Sequence, residues 1–231
     1  MQKYNPKYHH RRSIRLKDYD YAKEGLYFIT LCVQDRANLF GKVEKGEMKL
    51  NAFGIIAEEE WLNTPNIRSN IVIHEHIIMP NHIHGIIEIL FNKGHKNKTG
   101  EFKSPSQSIG AIVRGYKIAT IKRIKDYIKR AEESSFSIEN PDESFSSKEN
   151  SEDSSFSRTN SGESSFSGIS TGELQFAPTA PTNKILKLKF KIWQRNYYDI
   201  IIRDEKAFNN ISNYIINNPK KWEEDKFNRK I

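Results

Sequence analysis

Apolar residues recur with two different spacings along this 231-residue chain, and each spacing predicts a type of secondary structure. Alternating or uninterrupted apolar stretches of strand length are typical of strands at 26–33, 71–78, 82–89 and 185–193. The segment 40–50 contains the turn-forming pair Lys45-Gly46 and predicts a hairpin. Apolar residues that repeat every three or four positions indicate helices at 51–62, 108–130 and 204–218. Asn51 and Asp204 stand where the first and last helices begin and are the expected N-terminal caps. This order of elements predicts an α+β fold with helices packed on a central antiparallel sheet.

One long segment fits neither spacing. From Glu132 to Glu173 the chain is rich in Ser, Glu and Asn, and a short acidic, Ser- and Phe-containing motif repeats every ten residues at 133–137, 143–147, 153–157 and 163–167. One apolar residue in ten cannot offset the conformational entropy that folding removes. Residues 132–180 are therefore predicted to be a disordered, low-complexity acidic insert within a single domain that spans residues 1–231.

The acidic insert offsets much of the positive net charge of the remaining chain. The whole sequence has 37 basic and 29 acidic residues and a formal net charge of +8. Ten acidic and two basic residues fall between Glu132 and Glu173, which leaves 35 basic and 19 acidic residues elsewhere and a net charge of +16. Such an excess predicts a polyanionic partner, bound through phosphate neutralisation and counterion release. The same charge also suits solubility or an RNA partner.

The number of cysteines and the hydropathy of the chain indicate the cellular compartment in which the protein is expected. The single Cys32 excludes an intrachain disulfide framework, and the polar, basic residues 1–12 do not resemble a signal peptide. No apolar run approaches the roughly 18 residues that span a bilayer. We therefore expect a cytoplasmic protein with no membrane partner.

The candidate chemistry begins with two histidines on one predicted strand. His82 and His84 share a face of that strand, with Cα atoms about 6.6 to 6.8 Å apart, so their imidazoles can converge on one divalent cation. On this spacing alone, a hydrogen-bonded polar rim explains the pair as well. His74 and His76 repeat the spacing on the preceding strand, so a four-histidine zinc site is a further alternative. Whether the two pairs share a face depends on the connection between the strands, because a slip of one residue reverses every side chain.

At the histidine pair and three other blocks, the sequence resembles the REP-associated tyrosine transposases of the single-tyrosine HUH (histidine-hydrophobic-histidine) superfamily. The blocks follow the family's order and cover most of the chain outside the insert: 11–21, 79–89, 108–117, and 192–199 with Arg203 and 214–219. The resemblance implies a ferredoxin-like or RRM-like antiparallel sheet of the HUH endonuclease type.

The resemblance also implies the roles of the site residues. Tyr214, five residues before Pro219, matches the nucleophile, while His82 and His84 match metal ligands. Asn218, four residues after Tyr214, matches the residue that completes the metal site. At 3.6 residues per turn, Tyr214 and Asn218 lie about 60° and 20° from Ile211 around the last helix, so both lean towards the sheet. Without the histidine pair, Tyr214 would be interpreted as an ordinary amphipathic tyrosine at the edge of the core.

The activity that the resemblance implies is cleavage and rejoining of single-stranded DNA through a 5′-phosphotyrosine, supported by Mg²⁺ or Mn²⁺ and directed to REP-like hairpins. The expected partners are single-stranded or hairpin DNA, with no nucleotide cofactor, and a homodimer is left open. The setting would be the bacterial cytoplasm, in association with the nucleoid. The residues expected to contact DNA are basic and are listed here: Arg114, Lys117, Arg195 and Arg203.

Other interpretations are open on the sequence alone, and the chain departs from the family at one position. The family commonly has a His where this chain has Ile200, which puts the activity of this copy in question. Tyr197 and Tyr198 are rival nucleophiles, although they precede the last helix. A replication initiator or relaxase would use the same chemistry. A non-catalytic, RRM-like module that binds single-stranded nucleic acid would explain the charge and the aromatic residues, and would make the His pair and Tyr214 coincidental.

Overall fold

A four-stranded antiparallel sheet forms the centre of the protein, in a computed structural model that describes residues 19–91, 107–138 and 180–228. The strands are β1 (Gly25–Cys32), β2 (Gly41–Glu44), β3 (Glu47–Leu50), β4 (Ile71–Met79), β5 (His82–Ile89) and β6 (Tyr198–Ile202). The helices are α1 (Ala52–Leu62), α2 (Thr64–Ile67), α3 (Ile109–Ile138), α4 (Ala180–Lys187) and α5 (Glu205–Ile216). Short 3₁₀ helices cover Gln34–Arg36 and Pro219–Glu224. The sheet order is β4-β5-β1-β6, while β2 and β3 form a separate hairpin. The α+β class and the antiparallel sheet are as the sequence predicted.

The two faces of the sheet carry different helices. One face, here called the α3 face, packs on α1 and α3, and its buried core includes Tyr27, Ile29 and Ile83. The opposite face, here called the α5 face, is smaller, with Phe28 and Ile86 packed against Ile215 of α5. Because side chains alternate along a strand, each strand contributes to both cores.

Gly85 shows how closely α1 approaches the sheet. A Cβ atom at this position would lie 2.4 Å from Cζ2 of Trp61 and 3.2 Å from Cβ of His76. The indole of Trp61 therefore lies directly on the backbone of β5, where only glycine leaves room for it. Trp61 is 1% exposed and meets Tyr116 of α3 edge to face, with ring centroids 5.2 Å apart.

Several local predictions are confirmed. Asn51 Oδ1 accepts a hydrogen bond from the Gly54 amide at 3.0 Å, and Asp204 Oδ1 accepts one from the Ala207 amide at 2.7 Å, so both residues cap their helices. The hairpin turns at Lys45 and Gly46, whose φ angles of 52° and 78° are in the left-handed region.

The prediction of a strand at 185–193 is wrong. Helix α4 extends to Lys187, and the chain then turns through positive φ angles at Lys189 and Phe190. Only Ile185, Ile192 and Trp193 are buried in this segment, so the alternating pattern does not mark a sheet face. The fourth strand of the sheet is β6, which the sequence pattern missed because its five residues form a partly exposed edge strand.

The predicted boundaries of the insert also change at both ends. Helix α3 continues beyond Arg130 to Ile138, and α4 begins at Ala180. The insert residues between these helices, 139–179, lie outside the described residues, as does the basic segment 1–18. Within the described part of the chain, no helix combines the length and hydropathy required to cross a membrane.

Candidate active site

The two histidines of β5 lie side by side on the α5 face. Cys32 and Thr30 of β1 are the residues opposite His82 and His84, and the two imidazole centroids are 4.5 Å apart. His82 is 0% exposed and His84 is 2% exposed. The residue between them, Ile83, is buried in the core of the α3 face. The histidines are therefore adjacent to one another and held in a water-poor environment.

A hydrogen-bond network fixes which nitrogen of His82 carries its proton. The Asn81 amide donates through Nδ2 to the carbonyl oxygens of Phe227 at 2.9 Å and Arg36 at 3.2 Å. Its Oδ1 is therefore the acceptor 2.9 Å from His82 Nδ1, which must carry the hydrogen. The lone pair of His82 is then on Nε2, an atom that is buried and has no hydrogen-bond partner.

His84 is held between β1 and α5. Its Nδ1 is 2.8 Å from Thr30 Oγ1, and its Nε2 is 3.2 Å from the hydroxyl oxygen of Tyr214. If the tyrosine hydroxyl donates, Nε2 carries the lone pair and Nδ1–H donates to Thr30. Phe28 stacks on His84 and meets Tyr214 edge to face, so it supports both rings. The nucleophile candidate and the histidine pair are brought together, as the resemblance implies.

Asn218 follows α5, at the start of the 3₁₀ helix Pro219–Glu224, and is 2% exposed. Its Nδ2 donates to Asp225 Oδ2 at 3.3 Å, while its Oδ1 is buried and has no hydrogen-bond partner. Asp225 Oδ1 in turn accepts from the Phe227 amide, and the Phe227 ring is 4.5 Å from that of His82. Asp225 therefore orients the Asn218 amide so that its oxygen remains available.

The environment keeps the titratable groups of the site neutral. Burial lowers the pKa of His82 well below 6.5, and the neighbouring His84 lowers it further. Burial, with a smaller contribution from Lys226, lowers the pKa of His84 to about 3. The pKa of Tyr214 is raised above 10.0 by burial and by the Asp225 carboxylate, against a lowering contribution from Asn218. At neutral pH the site therefore presents two neutral imidazoles and a protonated phenol.

These groups fit a divalent cation. Neutral imidazole nitrogens and amide oxygens are common metal ligands, and an unpartnered polar atom in a buried position costs about 1 to 3 kcal/mol. His82 Nε2 and Asn218 Oδ1 are both such atoms. Within the described residues no group of three or more His, Cys, Asp or Glu side chains has a metal-binding arrangement, so the chain itself offers only two imidazoles and one amide here.

Two aromatic residues that the sequence analysis missed cover the histidines. Trp222 stacks on His82 with ring centroids 6.0 Å apart, and Phe227 contacts both imidazoles. Two basic side chains lie over the Phe227 ring: Arg36 Cζ is 4.2 Å from the ring centroid, and Lys226 Nζ is 5.0 Å from it. Arg36 and Lys226 therefore place positive charge close enough to His82 to lower its pKa.

The alternative of a four-histidine zinc site is wrong. A register shift between Ile73 and His76 breaks the alternation of β4. His74 lies on the α5 face, where its Nε2 is 2.8 Å from a carboxylate oxygen of Glu88. His76 lies opposite Gly85 on the α3 face, so it cannot join the others around one metal.

The four basic residues predicted to contact DNA do not gather at the histidine pair. Lys117 of α3 donates through Nζ to the Gln194 carbonyl at 2.7 Å, and burial lowers its pKa to about 8. Arg114 is exposed on the same helix, and Arg195 is exposed in the loop before β6. Arg203 is exposed just beyond β6, at the opposite end of that strand from the residue paired with Thr30. Lys117 is thus occupied in holding a loop, while DNA contact by the three arginines stays a prediction.

The rival tyrosines occupy other positions. Tyr197 is half-buried, with Lys117 Nζ 6.0 Å from its ring centroid. Tyr198 lies on the α5 face opposite Thr30 and is 47% exposed. Among the three tyrosines, Tyr214 is the one whose hydroxyl lies in hydrogen-bond contact with His84 in the described residues.

The sequence contained partial signals for the supporting residues. Thr30 is a polar residue inside an otherwise apolar strand, and Asn81 immediately precedes His82. Asp225 had no comparable signal, because its role depends on the path of the chain after α5. Ile200, the departure from the family, lies opposite Phe28 on the α5 face.

The lowered histidine pKa values predict that the metal-free fold loses stability as the pH falls below 6.5. In that range the unfolded chain takes up protons on both histidines and the folded chain does not, so the free energy of unfolding decreases towards acid. Well below pH 6.5 the slope approaches about 1.4 kcal/mol per pH unit for each histidine. Chemical denaturation in EDTA at pH 7, 6 and 5 measures it, and His84→Gln should remove about half of the slope. A constant free energy of unfolding from pH 7 to pH 5 would contradict the prediction.

Comparison with known proteins places the chain in a family. No protein-family model matches it. An uncharacterised protein of Haemophilus influenzae is 36% identical to it over 231 residues, with 96% of each chain covered. The chain belongs to the family of this Haemophilus influenzae protein.

Two solved structures are similar to the chain. A REP-associated tyrosine transposase bound to a REP hairpin has a TM-score of 0.45 at 13% identity, with 90% of this chain and 74% of that chain covered. A Deinococcus radiodurans protein, whose description proposes it to be a transposase, has a TM-score of 0.37 at 11% identity, with 89% and 97% covered. Both TM-scores are below 0.5, so neither likeness assigns a function to this chain.

Proposed function

We propose that the protein is a metal-dependent transposase and endonuclease that cleaves and rejoins single-stranded DNA through a 5′-phosphotyrosine at Tyr214. The observation that carries the proposal is the contact of the Tyr214 hydroxyl with His84 Nε2, at 3.2 Å, beside the unpartnered Nε2 of His82. A tyrosine that only filled the edge of the core would not need its hydroxyl on one imidazole of a neutral, buried histidine pair.

The chain's own residues have distinct tasks in this reaction. Tyr214, on α5, presents its hydroxyl oxygen for in-line attack on a phosphodiester. A bond forms between this oxygen and phosphorus, and the bond from phosphorus to the 3′ oxygen breaks. The phenol releases a proton and the departing 3′ oxygen takes one up, so no other reactant is consumed. A 3′-hydroxyl that attacks the phosphotyrosine reverses the step and joins strands without ATP.

A divalent cation, Mg²⁺ or Mn²⁺, is the proposed cofactor. His82 Nε2, His84 Nε2 and Asn218 Oδ1 would hold it, and it would supply charge stabilisation for phosphoryl transfer. Asn81 and Thr30 orient the two imidazoles, and Asp225 orients the Asn218 amide. The Tyr214 hydroxyl contacts the His84 nitrogen that the cation would use, so cation binding and this hydrogen bond exclude one another.

The proposed partner is single-stranded or hairpin DNA in the bacterial cytoplasm, with REP-like hairpins as the natural targets. The charge of +16 outside the segment 132–173 supports a phosphate-rich partner. Arg36 and Lys226 bring two of these positive charges next to the histidine pair. The resemblance of the sequence to the REP-associated tyrosine transposases motivates the choice of target.

DNA binding is expected to weaken steeply with salt. A protein that neutralises about six phosphates loses roughly a thousandfold in affinity between 50 and 200 mM salt, because counterion release contributes less free energy to binding at high salt. Fluorescence anisotropy of a labelled single strand, titrated at four salt concentrations, measures the slope. A dissociation constant that stays the same across this range would rule out the electrostatic basis of binding.

The direct test of the proposed function is formation of a covalent adduct. The protein is incubated with single-stranded DNA that flanks its own gene, in the presence of Mn²⁺, and separated on a denaturing gel. A protein band that carries labelled DNA supports the proposal. Tight binding without any adduct would favour the alternative, a non-catalytic module that binds single-stranded nucleic acid.

A further inference from the structure

An apolar surface lies open beside Tyr214. Helix α5 packs chiefly on β4 and β5, and on the same face the β6 side chains Tyr198 and Ile200 are 47% and 54% exposed. Phe28 of β1 lies opposite Ile200 and is 8% exposed. These three side chains, Phe28, Tyr198 and Ile200, are called the β6 platform. Tyr198 and Ile200 are two positions apart on one sheet face, so with Phe28 they form one contiguous apolar surface of the kind on which a ligand can pack.

The β6 platform is continuous with the candidate active site. The Phe28 and Tyr214 rings meet edge to face, with centroids 6.2 Å apart. Thr30, the residue opposite Tyr198, is the hydrogen-bond partner of His84. Two strand spacings, about 10 Å, separate the backbone at His84 from that at Tyr198. A strand of DNA with a phosphate at the Tyr214 hydroxyl that runs towards β6 has its next residue over the β6 platform.

Beyond Ile200 the surface opens into a cleft of about 420 Å³ at the outer edge of β6. Ile200 lines both the platform and the cleft, and Arg203 is the basic residue in the lining. Asp199 and Asp204 also line the cleft, and the Asp204 carboxylate accepts the hydrogen bond of the Ala207 amide, which caps α5. The path from Tyr214 thus leads first over apolar side chains and then to a guanidinium group.

An apolar surface followed by a guanidinium group matches the chemistry of single-stranded DNA, in which apolar base faces alternate with phosphates. We propose that the β6 platform binds the nucleobase next to the scissile phosphate and that Arg203 pairs with a following phosphate of the same strand. The proposal rests on the function proposed above, because it concerns the strand that Tyr214 cleaves. Every base has an apolar face that stacks on aromatic and aliphatic side chains, whereas the bases of a duplex already stack on their neighbours. The β6 platform is therefore expected to select single strands.

The test uses a short oligo-deoxythymidine with one 5-iodouracil, which crosslinks to an adjacent aromatic ring on irradiation. With the full chain, the crosslink is expected at Tyr198. Tyr198→Ser is expected to lose about tenfold in affinity for the oligonucleotide, while Tyr198→Phe keeps the wild-type affinity because the ring is retained. Ile200→Ser is expected to weaken binding in the same direction. Ile118→Ser, on α3 at 62% exposure, is the matched control with unchanged affinity.

The outcomes separate this inference from the proposed function. Crosslinks that map away from Tyr198, together with unchanged affinity of Tyr198→Ser, would overturn the inference even if the Tyr214 adduct forms. A crosslink at Tyr198 without any Tyr214 adduct would support the binding surface and reject cleavage. A dimer in sedimentation that Tyr198→Ser dissolves would assign the β6 platform to a second copy of the chain and overturn the inference. Competition by duplex DNA as effective as by single strands would also overturn it.

Discussion

Tyr214→Phe is expected to abolish the covalent protein–DNA adduct and to leave DNA binding almost unchanged. The substitution removes one hydroxyl group and no charge, so the phosphate contacts that dominate affinity are preserved. It also removes the hydrogen bond to His84 Nε2, which costs about 1 kcal/mol of stability. Adduct formation on denaturing gels and binding by anisotropy, measured on the same preparations, separate the two effects.

Tyr197→Phe and Tyr198→Phe are the controls for this experiment. Both keep an aromatic ring and lose a hydroxyl that does not contact His84, so both variants are expected to form the adduct. Mass spectrometry of the adduct locates the modified residue. A phosphotyrosine found at Tyr197 or Tyr198, or an adduct formed by Tyr214→Phe, would refute the assignment of the nucleophile.

His82→Ala and His84→Ala are expected to reduce metal affinity and DNA cleavage together. Substitution of residues that merely orient metal ligands commonly costs 10- to 100-fold in metal affinity, so removal of a ligand should cost at least about a hundredfold. Calorimetric titration with Mn²⁺ in the absence of DNA measures affinity independently of the reaction. Asn218→Ala is expected to have a smaller effect, because a water molecule can replace the amide oxygen.

His74→Ala is the matched control for the histidine variants. His74 lies on the same face of the sheet but interacts with Glu88, away from the unpartnered nitrogen of His82. Its substitution should leave Mn²⁺ affinity and adduct formation within about twofold, since it removes no ligand. Equal losses in the His74 and His84 variants would show that the losses reflect damage to the fold. Unchanged Mn²⁺ affinity in His82→Ala and His84→Ala would exclude these residues as the metal site.

The sequence by itself determined the elements whose identity depends on neighbouring residues. Period two put His82 and His84 on one face of β5 with Ile83 on the other, because alternation follows directly from strand geometry. Capping chemistry located the starts of α1 and α5 at Asn51 and Asp204, since a cap bonds only within its own first turn. The motif resemblance selected Tyr214, and the structure places its hydroxyl 3.2 Å from His84 Nε2.

Only the tertiary structure decided the features that depend on distant segments. The alternating residues at 185–193 form part of a helix and a turn, because burial of Ile185 and Ile192 overrides the local pattern. The register shift in β4 sends His76 away from His74, and no local signal marks that shift. Asn81 fixes the proton of His82 because its own amide bonds to Phe227, 146 residues later. Periodicity and capping are properties of one segment, whereas the protonation of His82 and the exposure of β6 depend on which segments pack together.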